Sequence, residues 1–130
     1  MKVRAIQFSP ALGDVAGNMD AIAAHVARAV RDGRQLVVFP ELSTSGYHLK
    51  DIAVDAALRP DGGEWQRLEK LSRRIDIIVG VPLEEEPGII TNAALHFSRG
   101  RWRHTHRKAQ LPNYGMFEEG MIFKPGDAFH

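Results

Sequence analysis

The sequence predicts a layered α/β fold built on a mixed sheet, and three observations carry that prediction. Leu36-Val37-Val38-Phe39 and Ile77-Ile78-Val79-Gly80-Val81 are uninterrupted apolar runs, the pattern of strands covered on both faces as in a parallel sheet. Each run follows a segment of helical periodicity, so strand–helix–strand crossovers are the natural connection. Residues 92–98 and 101–107 read instead as an antiparallel pair turning at Arg99-Gly100, which makes the sheet mixed.

Taken in order, residues 2–8 form the first strand, with Val3, Ala5 and Gln7 alternating against Arg4, Ile6 and Phe8 until Ser9-Pro10 ends it. Asn18 is placed to cap a helix over residues 19–31, where Met19, Ile22, Ala23, Val26 and Val30 share one apolar face and His25, Arg28 and Arg31 face away. Asp32-Gly33 breaks this helix ahead of the strand at residues 36–39. A second helix is expected over residues 62–74, with Asp61 as its cap, Glu64 three residues on, and Trp65, Leu68, Leu71 and Ile75 along one face. The strand at residues 77–81 should close at Pro82, and residues 84–88, Glu-Glu-Glu-Pro-Gly, read as a charged turn. Residues 109–130 lack periodicity and are punctuated by Pro112, Gly115, Gly120, Pro125 and Gly126, which suggests an ordered loop. Nothing in residues 122–130 closes the sheet, so the element order is expected to be half of a larger layered fold.

Composition bounds the function. With 130 residues, 44% hydrophobic and 25% charged, the chain has the profile of one globular domain and not of a disordered segment. Seventeen Lys and Arg against sixteen Asp and Glu leave a formal charge of +1, which offers no bulk attraction for nucleic acid or an acidic membrane. No stretch approaches the roughly 18 apolar residues of a membrane helix, and residues 1–4 run into a strand without a signal-peptide core, so a cytoplasmic protein is expected. The absence of cysteine excludes disulfides, thiolate metal sites and a thiol nucleophile within these residues.

Several residues could carry chemistry. Glu41 sits just past the carboxyl end of a buried strand, where open α/β sheets place their sites, although a solvated loop glutamate would occupy the same position. Lys108 follows residues 101–107 and could reach that cleft, or be one more charge in the basic run Arg101, Arg103, Arg107, Lys108. Glu118 and Glu119 follow the aromatics Tyr114 and Phe117. A glutamate held against aromatic surface loses solvation and becomes suited to proton transfer, the alternative being a plain surface acidic pair. Trp102, His104 and His106 fall on one strand face at the spacing of a two-histidine metal site, yet no third ligand follows at close spacing, and no metal is expected. The same stretch could be a nucleic-acid strand with an interleaved aromatic, against which the near-neutral charge weighs.

In combination these positions resemble a known family. Val37-Val38-Phe39-Pro40-Glu41-Leu42, Thr44-Ser45-Gly46-Tyr47, Asn92-Ala93-Ala94, His106-Arg107-Lys108-Ala109-Gln110-Leu111-Pro112-Asn113-Tyr114 and Phe117-Glu118-Glu119 together resemble the nitrilase superfamily of carbon-nitrogen hydrolases. Ser45-Gly46-Tyr47 and Leu111-Pro112-Asn113-Tyr114 are most similar to the glutaminase domains of glutamine-dependent NAD synthetases and to stand-alone amidases. The resemblance implies an α-β-β-α sandwich with roughly twice this length of chain. Residues 1–130 would form its N-terminal part, a mixed sheet with helices on one face, and the sandwiches would pair into a homo-oligomer. It implies hydrolysis of a small amide with Glu41 as general base, Lys108 stabilising the tetrahedral intermediate, Glu119 assisting, and a cysteine as nucleophile, with no cofactor. Tyr47, Tyr114 and Phe117 match positions lining the substrate pocket, and could equally be core aromatics.

The cysteine is the departure from the family pattern. It would lie a few tens of residues beyond the lysine, and this sequence has none. The expectation is that the 130 residues are part of a longer gene product and are inactive alone. The alternatives are one piece of a split hydrolase, a non-catalytic descendant, or a binding or assembly module.

Overall fold

The computed structural model describes residues 1–47, 49, 52–109, 113–114, 117–118 and 123–126. Its centre is a five-stranded sheet in the order β1 (Val3–Ala5), β2 (Leu36–Val38), β3 (Asp76–Glu86), β4 (Ile89–Ser98) and β5 (Arg101–Arg107). β1, β2 and the first part of β3 run parallel, whereas β3, β4 and β5 are antiparallel neighbours, so the sheet is mixed as the apolar runs required. Between the parallel strands lie α1 (Val15–Arg31) after β1, and α2 (Ala53–Ala56) and α3 (Gly63–Leu71) after β2.

Both long helices cover the same face. Met19, Ile22 and Val26 of α1 and Trp65 and Leu68 of α3 join Val37, Ile77, Val79, Val81, Leu95 and Phe97 of the sheet in one buried cluster. Each of those side chains removes about 1.5–3 kcal/mol worth of apolar surface from water, which fixes the register of every strand contributing to it. A smaller cluster, including Leu42, Leu49, Ala53, Ala56, Ile90 and Phe123, lies under the loop that follows β2. The four-residue α2 is too short to leave a helical period in the sequence, and the sequence reading missed it.

The structure corrects several boundaries. Asp14, not Asn18, caps α1, its Oδ1 accepting from the Gly17 N–H at 3.0 Å. His25 does not face away but packs its ring 5.8 Å from Phe8 and 6.3 Å from Phe39. α3 carries no side-chain cap, because Asp61 takes a left-handed φ of 62° and the N-cap position falls on Gly62. β3 does not close at Pro82 but continues to Glu86, turning into β4 at Pro87-Gly88. The ring nitrogen of Pro82 lies on the edge of β3 away from β4, beyond the end of β2. There the neighbouring chain asks only for its carbonyl, which accepts from the Leu58 N–H at 2.8 Å.

The hairpin between β4 and β5 turns at Arg99-Gly100, both with positive φ (54° and 79°), the twist that two-residue hairpin loops favour. A bulge beside His96 and Phe97 then separates residues expected to share a face. Trp102 pairs with Phe97 and lies 6.2 Å from Trp65 on the helix side, whereas His104 and His106 pair with His96 and Ala94 on the opposite side. Residues 113–114 and 117–118, expected within a loop, form a two-stranded ladder, β6 (Asn113–Tyr114) with β7 (Phe117–Glu118). No helix among the described residues is long and apolar enough to cross a membrane.

Candidate active site

Where β2 ends, the chain keeps to the same lane beside β3. The Phe39 N–H donates to the Ile78 carbonyl at 2.8 Å and the Ser43 N–H to the Gly80 carbonyl at 2.7 Å, so Pro40, Glu41 and Leu42 are pressed against Gly80. A side chain at position 80 would set its Cβ 2.5 Å from the Pro40 carbonyl oxygen and 2.7 Å from both Glu41 Cα and Leu42 N. Only glycine admits that approach. Leu42 takes a left-handed φ of 51°, the Gly46 N–H donates to its carbonyl at 2.9 Å, and the Ser43 hydroxyl donates to the Pro40 carbonyl. Residues 42–46 are buried by this turn, and Glu41 alone projects outward.

A second clamp comes from Asn18. Buried at the start of α1, its amide donates to the Ala11 carbonyl at 2.7 Å and the Thr44 carbonyl at 3.1 Å, and its Oδ1 accepts from the Ala11 N–H at 2.8 Å. One side chain therefore ties the loop after β1 to the loop bearing Glu41.

Lys108 emerges directly after β5. Its N–H donates to the Asn92 carbonyl at 2.8 Å, and its carbonyl accepts from the Gly126 N–H at 2.9 Å. Its Nζ lies 2.8 Å from Glu41 Oε1, and the Asn92 Nδ2 donates to that same oxygen at 2.6 Å. Glu41, Asn92 and Lys108 edge a cleft of about 400 Å³ whose floor is Val38, Ile78, Gly80 and Ala94, with His106 beside it. The cleft opens on the sheet face away from the helices, at the carboxyl end of β2. A carboxylate and an ammonium so placed can exchange a proton with a reacting group and balance charge developing on it.

The other expected site residues are placed as follows. Tyr47 is half-buried and packs against the smaller cluster around Leu42. Tyr114 and Phe117 are backbone register partners in the β6–β7 ladder. Glu119 lies outside the described residues. Among the described residues there is no group of three or more His, Cys, Asp or Glu side chains that could hold a metal ion.

The model of the carbon-nitrogen hydrolase family matches residues 2–130. The chain belongs to the carbon-nitrogen hydrolase family. Among its relatives, the glutamine-dependent NAD(+) synthetase of Thermotoga maritima is 32% identical over 128 residues, which are 98% of this chain and 22% of that protein. The solved glutamine-dependent NAD+ synthetase of Acinetobacter baumannii superposes with a TM-score of 0.82 at 29% identity, over 98% of this chain and 24% of its own. A variant of the amidase from Nesterenkonia sp. AN1, solved after Michael addition of acrylamide at its active-site cysteine, gives 0.84 at 25% identity, over 98% of this chain and 50% of its own. This carbon-nitrogen hydrolase chain thus spans under a quarter of the synthetases it matches and half of the amidase.

Gly80, Asn18 and Asn92 escaped the sequence reading as parts of the site. Asn92 stood in the sequence only within the Asn92-Ala93-Ala94 string, yet an amide buried in β4 must find a partner, and its partner is the carboxylate of Glu41.

Proposed function

We propose that the intact protein hydrolyses the carbon–nitrogen bond of a small amide, using a cysteine supplied from outside these 130 residues. The observation that carries this reading is the 2.8 Å pair of Glu41 and Lys108, 67 residues apart in sequence and joined at the mouth of a cleft. Membership of the family supports it, as do an amidase and glutamine-dependent synthetases among the relatives. Glutamine is therefore the first amide to test.

The chemistry follows from the groups present. The Glu41 carboxylate takes the thiol proton, and the thiolate sulfur attacks the amide carbon. The Lys108 ammonium, already held at the site, stabilises the oxyanion that forms. As the tetrahedral intermediate collapses, the carbon–nitrogen bond breaks and Glu41 returns the proton to the leaving nitrogen, giving ammonia or an amine and a thioester. Water, deprotonated by Glu41, then attacks the thioester carbon; the carbon–sulfur bond breaks, the carboxylic acid leaves, and Glu41 returns the proton to the sulfur to restore the thiol. The family resemblance assigns Glu119 the assisting role and Tyr47, Tyr114 and Phe117 the lining of the substrate pocket. None of these steps calls for a cofactor.

The test is ammonia release from glutamine and a panel of small amides by the intact gene product and by Glu41→Gln. The wild type should turn over at least one of them, and Glu41→Gln should lose about 10²–10⁴-fold in kcat while binding substrate normally. Activity that survives Glu41→Gln unchanged would overturn the assignment. No turnover of any amide, together with a stable complex with another protein, would favour the binding or assembly module.

A further inference from the structure

Glu41 has two carboxylate oxygens, and the described residues treat them differently. Oε1 receives both Asn92 Nδ2 at 2.6 Å and Lys108 Nζ at 2.8 Å, whereas no described residue donates to Oε2. The amide of Asn92 is oriented without ambiguity. A carboxylate beside an ammonium is an acceptor only, so the atom of Asn92 that meets it is the NH₂. Asn92 itself is 3% exposed and sits in β4, paired with Pro82 across the β3 ladder. Its carbonyl meanwhile accepts from the Lys108 N–H at 2.8 Å. One residue of an interior strand therefore grips the base by its side chain and the cation by its backbone.

We propose that Asn92 is the positioning residue of this site, pinning Oε1 of Glu41 so that Oε2 is the oxygen that exchanges protons with the nucleophile and the leaving nitrogen. A lysine alone would not achieve this. Its ammonium rides on a flexible four-carbon stem and attracts either oxygen, so the carboxylate could turn about its last bond with little loss. A second donor, fixed on a β-strand, sets the plane of the carboxylate. Because the Glu41 backbone is already immobilised against Gly80, the carboxylate orientation is the last freedom to be removed, and Asn92 removes it. Asparagine is specified here, since aspartate would set a second carboxylate against the first and leucine would offer no donor.

The kinetic arm of the test rests on the hydrolase reading, and the structural arm does not. Asn92→Leu and Asn92→Asp are made in the intact gene product; both keep the carbonyl that holds Lys108. With an amide that the wild type turns over, Asn92→Leu should lower kcat by about 10–100-fold, the cost of removing one charge-assisted donor, with KM changed by no more than about threefold. Asn92→Asp should lose at least as much near neutral pH and recover part of it as the pH falls, when the introduced carboxyl takes up a proton and can donate. A merely structural role would leave the shape of that pH profile as in the wild type. Crystal structures of the wild type and of Asn92→Leu supply the other arm, which should show the Glu41 carboxylate turned from its wild-type plane while Lys108 keeps its backbone position. If wild-type protein hydrolyses no amide, the hydrolase reading fails and the crystal structures alone decide this one. An unchanged Glu41 conformer in Asn92→Leu, or a kcat within about twofold of wild type, overturns the proposal. Should Asn92→Leu fail to fold, the near-isosteric Asn92→Asp carries both arms.

Discussion

Asn18 shows how a residue can be legible in kind and misread in role. Its type suits a helix cap, and its position immediately before the periodic run that starts at Met19 made that the simplest reading. The chain instead spends Asp14 on the cap and buries Asn18, whose three hydrogen bonds hold the segments around Ala11 and Thr44 together. Asn18→Ala would take the Asn18 amide from the buried Thr44 carbonyl, whose loss as a satisfied group costs about 1–3 kcal/mol, while the exposed Ala11 segment can turn to water and its carbonyl keeps the Asp14 N–H. The expected loss is about 1–3 kcal/mol in urea unfolding of the intact protein, with a larger relative loss of activity than a distant core variant of equal cost, because the loop it releases carries Glu41. Glu41 and Lys108 were candidates from their places after two strands, and the family resemblance alone preferred them to a solvated loop carboxylate and one more charge of a basic run. Asn92 and Gly80 were not, because what marks them is a neighbour 51 residues away for the one and backbone pressed against its Cα for the other.

The strands and long helices were legible wherever periodicity or apolar runs extend over a turn or more, and less so at their ends. α1 and α3 were recognisable from Met19, Ile22, Val26, Trp65 and Leu68, all of which are buried. The bulge that moves Trp102 to the helix side was not, since alternation along the strand contains no mark of an inserted residue. One tie between elements is open to a direct test. Arg4 of β1 donates to Asp32, just past α1, at 2.6 Å, and this guanidinium holds the Asp32 carboxyl below the usual carboxylate range. A lowered folded-state value means that the contribution is present above the ordinary carboxylate range and is lost as the pH falls through the lowered value. The stability difference between wild type and Asp32→Asn, read from urea midpoints, should therefore be constant near neutrality and shrink towards zero in acid. A difference that grows in acid would show that Asp32 is not stabilised by Arg4. Because the pair is exposed, salt should diminish the difference as well.

The helices close one side of the sheet and the cleft opens on the other, so covering and chemistry are divided between two faces. The proposed function takes residues 1–130 as the N-terminal part of a hydrolase domain whose cysteine comes from outside them. The expected mass of the protein made from its native gene is accordingly well above the 14.5 kDa of these residues, with at least one cysteine. An intact mass equal to 14.5 kDa would move the nucleophile to a partner chain or remove it altogether. The layered α/β class could be foreseen because strands and crossovers repeat in the sequence. The proportion of the catalytic group that falls within it could be foreseen only through the family resemblance, since a missing thiol leaves no pattern.

Glu41 follows β2, Asn92 sits within β4 and Lys108 follows β5, so the ladder β2–β3–β4–β5 must be in register to bring them together. A slip of β4 by a single residue against β3 would turn Asn92 towards the helices and away from Glu41. Chains that fold with a shifted ladder would therefore keep their bulk and their secondary structure yet be chemically silent. On the proposed function the site is thus a built-in inspection of its own assembly, and the active fraction of a preparation would count the molecules whose strands found the right partners.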